Sequence, residues 1–450
     1  MKKILFSLFC MACLSAHAQL VTKGDGTTYT MQSLAEMWDS GIVVHEAEPT
    51  PDHRQAYELT LDITISETDK FVMDDNIEVI LGEDVTLTIE GEADFGLSTG
   101  STFLGKEGKA ALKLGCKQLT TLENCCFQNV SLELTGEGGV VVSHCSFYDH
   151  DGSSAAALYF ISAGAESTIE NCTFERCGKA AIGSAANASQ PMTVKDCTIS
   201  HCSTQNKNVP QINVTASNGL TITGCTIEGT PELNMVGGIG ISNFMGFDAN
   251  VTVSGCTITS NRYGIGLVGP AAHIVIEGNT LKDNCQEQNA MTGGSGLSLY
   301  DPYLQTSAII KGNHIEGSLW GITVIGCKEV NAGRIEEGGE YSPGLNTFKD
   351  NGNGGQLYDL YNNSAITVYA QGNTWNVSEQ TEEQIETVIF HQNDDSSLGK
   401  VIFMPAAVET KVEKLEQQGQ QAEVVYNLQG QRMRKGQHGI FVVNGKKVVR

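Results

Sequence analysis

Val251 and Val253 are apolar positions separated by a polar one, and so are Cys256 and Ile258, but the two pairs fall on opposite parities. Side chains alternate along a strand, so one straight strand cannot bury both pairs on one side. The chain must bend at Ser254-Gly255 for all four to face inward. A second turn over Ser260-Asn261-Arg262-Tyr263-Gly264 leads into Ile265 and Leu267, which alternate again. The pattern predicts three short strands around a triangular coil. Gly, Asn or Asp usually precedes the Cys, and these residues tolerate the left-handed backbone that a sharp bend needs.

The frame returns as ENCCF (123–127), SHCSF (143–147), ENCTF (170–174), KDCTI (195–199), TGCTI (223–227), SGCTI (254–258), EGNTL (277–281), KGNHI (311–315), GLNTF (344–348) and QGNTW (371–375). Unit lengths of this order are what solenoids produce. Stacked coils would pair each strand with its equivalent in the next coil, parallel and in register, around a column of Val, Ile, Leu and Phe. Cys125, Cys145, Cys172, Cys197, Cys225 and Cys256 then form an inward ladder, continued by Asn279, Asn313, Asn346 and Asn373, whose amides can bond along the stack. The repeats resemble those of right-handed parallel β-helices of the pectate-lyase-like superfamily, in which an Asn or small residue commonly stacks at the inner bend. The resemblance covers residues 57–404 and implies an all-β fold, a three-sheet solenoid. It implies no single activity, because that superfamily contains many chemistries and members with none.

In-register Cys neighbours would sit about 4.8 Å apart with parallel Cβ vectors, whereas a disulfide needs Cβ atoms near ~3.8 Å. The six ladder thiols are therefore expected to be free, buried, small apolar fillers. Cys177 and Cys202 share one offset in neighbouring coils, at an outer turn where a relaxed backbone would permit a bond. No CxxC pair or accompanying His set is present in the ladder, so no metal or other cofactor is expected there.

Both ends of the chain depart from the repeat. Ser33-Leu34-Ala35-Glu36 matches a capping box, with Leu34, Met37 and Trp38 on one helical face before Gly41, and predicts a short helix over the first coil. Alternation predicts strands at Tyr57–Ile65, Ile77–Leu81 and Val85–Ile89. Residues 1–18 read as a signal peptide: Lys2 and Lys3, an apolar run from Ile4 to Leu14 too short to span a bilayer, and Ala16-His17-Ala18 before Gln19. A lipoprotein alternative would modify Cys13, but Cys10 stands where Leu is usual. The expected layout is a cap region at 19–56, the β-helix at 57–404, a Gln- and Glu-rich linker at 405–422 and a β tail at 423–450. The tail resembles the C-terminal sorting segments of type IX secretion through Tyr426, Leu428, Gly430, Gly439, Ile440, Val442, Gly445 and Lys447. It is shorter than the usual module. The resemblance implies export machinery as a partner and a secreted or outer-surface location; a small hairpin docked on the last coil is the alternative.

With 50 Gly, 9 Pro and 18% charged residues, the 450-residue composition suits β structure with tight turns. A formal charge of -24 argues against nucleic acid and strongly anionic surfaces as partners, but not against a neutral glycan. No later apolar stretch is long enough for a transmembrane helix.

Residues at matching offsets after the ladder supply candidate chemistry: Asp149, His150, Asp151, Glu175, Arg176, His201, Arg262, Lys282 and Asp283. Of these, Asp149, His150, Asp151, Arg176, His201 and Arg262 are the candidate glycan-binding strip. Solvated turns also collect charged residues, and Asp149-His150-Asp151 could hold a metal only if the three side chains converge. The Asn-Thr-Asp, Asp-Asp and Gly-His-Gly motifs of inverting polygalacturonases are not found in the ladder region, and Arg176 and Arg262 lie three ladder coils apart without a shared Asp cluster. The sequence therefore names no catalytic residue. It favours a non-catalytic surface for a polysaccharide or a cell-surface protein, with a divergent polysaccharide lyase or glycoside hydrolase as the alternative. Any groove is expected beside the inserts Gln286–Gly293 and Lys328–Ser342.

Overall fold

A computed structural model of the chain describes residues 19–37, 43–44, 51–52, 54–96, 100–334, 342–407, 426–427, 440–443 and 446–449. The expected signal peptide, Trp38, Gly41, most of the linker, and Leu428, Gly430, Gly439 and Gly445 of the tail lie outside these residues. The chain divides into two units, Met1–Ala407 and Val408–Arg450. The first is the expected three-sheet parallel β-helix. Among the described residues its sheets hold 14, 13 and 11 strands, called here sheets one, two and three.

One coil shows how the parity pattern is realised. Ala249–Ser254 lies in sheet three, Thr257–Thr259 in sheet two and Ile265–Val268 in sheet one, before Ala272–Glu277 returns to sheet three. Val251, Val253, Cys256, Ile258, Ile265 and Leu267 are all buried. The bend is left-handed, with φ +61° at Gly255. The same conformation precedes every ladder member, from Asn124 (+55°) to Gly372 (+73°), and even Leu345 (+56°) adopts it. Backbone geometry at this corner is thus conserved from coil to coil within the chain although the residue type is not.

The core differs between coils in how it stacks. Phe103, Phe127, Phe147 and Phe174 are parallel rings with centroids 5.0, 4.7 and 4.6 Å apart. Ile199, Ile227, Ile258, Leu281 and Ile315 continue the column before Phe348 and Trp375 stack at 5.0 Å. Burying a side chain of this size stabilises by about 1.5–3 kcal/mol relative to exposure.

Several expectations need correction. Tyr57–Ile65 is two strands: Gln55–Leu59 lies in sheet two and Asp62–Ile65 in sheet one, with the corner between them. Leu61 consequently leaves the alternation and is only half-buried. The solenoid begins inside the expected cap region, because Gln19–Val21 already pairs in parallel with Asp62–Thr64. The short helix, Met31–Met37, is capped by Thr30 rather than Ser33. Thr30 Oγ1 accepts the Ser33 N–H at 3.1 Å while Ser33 Oγ accepts the Thr30 N–H at 2.8 Å, the reciprocal arrangement of a capping box. At the other end the body runs on to residue 407, where the Ala407 N–H donates to Asn373 O.

In the second unit Tyr426–Asn427, Ile440–Val443 and Lys446–Val449 form a three-stranded antiparallel sheet. This matches the expected β tail in its strands.

Candidate functional site

The corner after sheet two has its own ladder, five residues beyond the first. Asn129, Asp149, Arg176, His201, Ser260, Asp283 and Asp350 have φ between +51° and +60° there. The next residue in each case faces inward: Val130, His150, Cys177, Cys202, Asn261, Asn284 and Asn351 are buried. The coil containing Cys225 lacks such a residue, and Gln211 fills the place. Its Nε2 donates to Glu228 O and to Asn261 Oδ1, both at 2.9 Å, and its Oε1 accepts the Cys202 N–H at 3.0 Å.

This second ladder explains the candidate strip. Asp149 and Arg176 are exposed corner residues of adjacent coils, joined by Arg176 Nε to Asp149 Oδ1 at 2.7 Å and Nη2 to Oδ2 at 3.2 Å. Arg176 also meets Glu175. His201, one coil further, places Nδ1 3.2 Å from Thr230 Oγ1. Asp151 is exposed and accepts the Ser153 N–H at 2.7 Å. His150 turns the other way. It is only 2% exposed, its Nδ1 accepts the Gly152 N–H at 3.3 Å, and its Nε2 has no hydrogen-bond partner. Burial pushes its pKa down to about 4, so the ring is neutral at pH 7. Asp149, His150 and Asp151 therefore do not converge on one point. Among the described residues, no group of three or more His, Cys, Asp or Glu side chains is arranged to hold a metal ion.

The twelve described cysteines are free, Cys177 and Cys202 included. Hydrogen bonding to the Cys202 thiol and burial hold Cys177 well above the usual thiol range. That sulfur stays protonated and packs as core.

Arg262 belongs to a different feature. Three loops at the second corner rise over the outer face of sheet one and are linked in series: Asn206 Nδ2 donates to Asn234 Oδ1 at 3.3 Å, and Asn234 Nδ2 to Glu287 Oε2 at 3.1 Å. The third loop is the insert at 286–293. Together with the sheet they enclose a cleft of about 630 Å³, within the usual range for a small-molecule site. This is one of the two places where a groove was expected; residues 335–341 of the other insert lie outside the described residues.

The cleft floor is one in-register row of outward residues: Asn213, Gly240, Gly266, Ser298, Thr323 and Tyr361. Tyr263 lies along the two glycines. A Cβ on Gly266 would come within 3.0 Å of its ring, and one on Gly240 within 3.2 Å of its hydroxyl and 2.6 Å of Pro210. Burial pushes the Tyr263 phenol up to about 12, so it does not serve as a base at neutral pH. Trp320 donates Nε1–H to Ala290 O at 2.9 Å, anchoring the insert. Its ring centroid is 4.7 Å from Tyr358 and 4.8 Å from Tyr361, and Tyr361 is 4.9 Å from Phe390. Phe244 (70% exposed) and Met291 (90% exposed) flank the opening. Among the described residues, none lining the cleft is Asp, Glu, His or Lys.

Of the six strip residues the structure brings only Arg262 to this cleft. Trp320, Tyr361, Tyr263 and the floor row were missed. The floor row, Tyr361 included, carries outward parity on the sheet one strands of successive coils, which the fixed offset after the ladder does not reach; Tyr263 lies in the turn before its strand and Trp320 shares the parity of buried Ile322 and Val324, so alternation marks neither.

The right handed beta helix region family matches residues 89–243 and 205–368. The chain belongs to this family. No curated protein matches it. Among solved structures it is similar to the periplasmic alginate epimerase AlgG, at 14% identity and TM-score 0.41 over 84% of this chain and 76% of that one. A double mutant of that epimerase gives 12% identity and TM-score 0.45 over 84% and 83%. Pectate lyase Pel9A gives 15% identity and TM-score 0.23 over 68% and 70%. The family assignment rests on residues 89–368 and not on these distant likenesses.

Proposed function

We propose that this protein is an exported β-helix that binds a glycan in the sheet one cleft and does not turn it over. The observation that carries the reading is the lining itself: aromatic faces and uncharged hydrogen-bonding groups on a rigid sheet, the usual make-up of a recognition pocket. Two-carboxylate hydrolysis needs an acid and a base across the scissile bond, and the described lining offers neither. The Asp149–Arg176–His201 corner is a secondary contact surface on this reading, with affinity summed over weak contacts of about 0.5–1.5 kcal/mol each. The export reading is supported by residues 1–18 and by the tail's likeness to sorting segments, including Tyr426 and Lys447, and its expected location is the secreted or outer-surface fraction.

A polysaccharide panel assayed in parallel for binding and for turnover tests this. The expected result is retention of a glycan with neither new reducing ends nor unsaturated product. Turnover that is lost on substitution of a cleft residue would establish the lyase or hydrolase alternative instead. For export, deleting residues 424–450 should leave a folded β-helix in the periplasm of a host with the type IX machinery; unchanged surface labelling would refute the sorting role.

A further inference from the structure

We infer that the cleft takes a neutral oligosaccharide, not a polyuronate, held against Trp320 and Tyr361 and laid along the solenoid axis. This rests on the glycan reading and adds the charge class of the ligand and its anchor. Arg262 is the one ionised side chain among the described residues of the lining, and it is already engaged. Its Nε donates to Thr292 O at 2.9 Å, and its terminal nitrogens donate to Thr292 O and to Asn208 Oδ1. The guanidinium thus ties the insert at 286–293 to the loop preceding Pro210, and three of its five N–H donors are committed to the cleft wall. The remaining polar lining, Asn213, Ser298, Thr323 and Asn363, offers donors and acceptors without charge, which matches a ligand presenting hydroxyls. A polyanion would also approach a chain of net charge -24, a long-range repulsion that a neutral glycan does not feel.

The anchor follows from the aromatic geometry. The bond from Trp320 Nε1 to Ala290 O sets the indole orientation before any ligand arrives. Trp320 is inclined by 35° to Tyr361 and by 41° to Tyr358, so the rings do not lie flat on one another. Trp320 and Tyr361 are only half-buried, and both border the cleft. Inclined, rigid rings of this kind present apolar faces with polar edges, suited to the C–H faces of sugar rings. In the coils before them Tyr263 covers Gly240 and Gly266, so its ring is the floor there. From Asn213 to Tyr361 the floor row crosses six adjacent strands, roughly 24 Å at the inter-strand spacing. That is room for a short linear chain lying along the row.

The test is calorimetric titration of the full chain with cellotetraose, xylotetraose, mannotetraose and laminaritetraose, and with tetragalacturonate and tetramannuronate, in buffer free of divalent ions. At least one neutral tetrasaccharide should bind, with both acidic ones about tenfold weaker or more. Trp320→Ala and Tyr361→Ala should each weaken the neutral ligand by about tenfold or more, and Trp320→Phe should retain much of the affinity. Far-UV circular dichroism and thermal melting report whether each variant is folded. Should Trp320→Ala not fold, Ser298→Trp, an outward floor position, should abolish binding in a folded chain. Tighter binding of either uronate than of every neutral sugar overturns this inference and leaves the glycan reading standing. Neutral binding unaffected by Tyr361→Ala and Ser298→Trp removes the proposed anchor. Binding of no saccharide overturns both readings.

Discussion

From Cys125 to Cys256 the first corner of each coil is filled by a thiol, and from Asn279 to Asn373 by an amide. The two halves occupy one geometric position and are held along the axis by different forces. Cys145, Cys172, Cys197, Cys225 and Cys256 reach back to a carbonyl of the preceding coil at long range, as in Cys145 to Leu122 O and Cys197 to Ile169 O, both 3.7 Å. Asn279, Asn313 and Asn346 bond in both directions at normal length. Asn313 Nδ2 donates to Ile276 O and Asn346 Oδ1, both at 2.9 Å, and its Oδ1 accepts the Asn279 N–H at 3.0 Å. In the thiol half the neighbouring column contains the Phe103–Phe174 stack. In the coils of Asn279 and Asn313 that column is Leu281 and Ile315, and the amides connect the coils instead. Trp320 and Tyr361 stand on the amide-linked coils. A column of small apolar groups and a column of amides can therefore share one backbone, but they place different demands on substitution.

The largest contrast should come from truncating one member of each half. Asn313→Ala leaves the Asn279 N–H without its acceptor and takes the side-chain donor from the Ile276 carbonyl and from Asn346 Oδ1, which still accepts the Asn313 N–H, a loss of about 3 kcal/mol. Cys172→Ala gives up a weak donor and a small volume, about 1 kcal/mol. Urea unfolding midpoints of the two variants measure the difference; equal shifts would show that the amide ladder contributes no more than packing.

Next come two buried titratable groups: His150 of the second ladder, and Asp359, whose Oδ1 accepts the Asn351 Nδ2 of that ladder at 3.3 Å. Burial pushes Asp359 up to about 7 from 3.8. A carboxyl raised in the folded state contributes stability that is present below the unfolded value and lost as pH rises through the folded one. Burial lowers His150 from 6.5 to about 4. Between those values the unfolded chain binds more protons, so the His150 contribution is present above pH 6.5 and lost on acidification. Asp359 is worth at most about 4 kcal/mol and His150 at most about 3 kcal/mol, and their slopes oppose one another from about pH 4 to pH 6.5. Unfolding midpoints against pH should show a shallow profile for the natural chain. Asp359→Asn should remove the loss between pH 4 and 7, and His150→Asn should remove the acid-side loss; a profile unchanged by either variant rejects the assignment.

The smallest effect would sharpen the comparison. Cys256 is the last thiol, its N–H already donates to Asn279 Oδ1 at 2.9 Å, and its sulfur sits 3.8 Å from Ile222 O. Cys256→Asn extends the amide ladder by one coil into partners already in place. Its unfolding midpoint should move by no more than about 1 kcal/mol, in the stabilising direction. A loss of several kcal/mol would mean that the thiol coils are too tightly packed to admit the amide.

The first ladder was legible because its position is chemically marked: Cys or Asn, a bend residue before it and a large apolar residue two places after it. A corner that needs positive φ and a column that needs small or self-pairing side chains leave few residue choices, so a local pattern shows through. The second ladder has the same backbone but mixes Val130, His150, Cys177 and Asn261, and it borrows Gln211 from a loop. Its members share only a position, and position in the tertiary structure is not a residue type. The same reasoning accounts for the strip. Asp149, Arg176 and His201 recur at a fixed offset because the corner requires a left-handed residue that faces solvent, so the offset by itself marks geometry and not chemistry.

The local sequence alone determined the coil: alternation fixes which side chains can be buried together, bend residues fix where the strand must turn, and both act within a dozen residues. The cleft was decided only by the stacking of coils. Asn213, Ser298 and Tyr361 meet across loops of unequal length, and the wall depends on Arg262 and Trp320 holding an insert that begins at Gln286. An outward residue on one strand carries no local mark of whether a neighbouring coil will leave it open to water, cover it or complete a binding surface around it, because that depends on how the loops of other coils pack over the sheet.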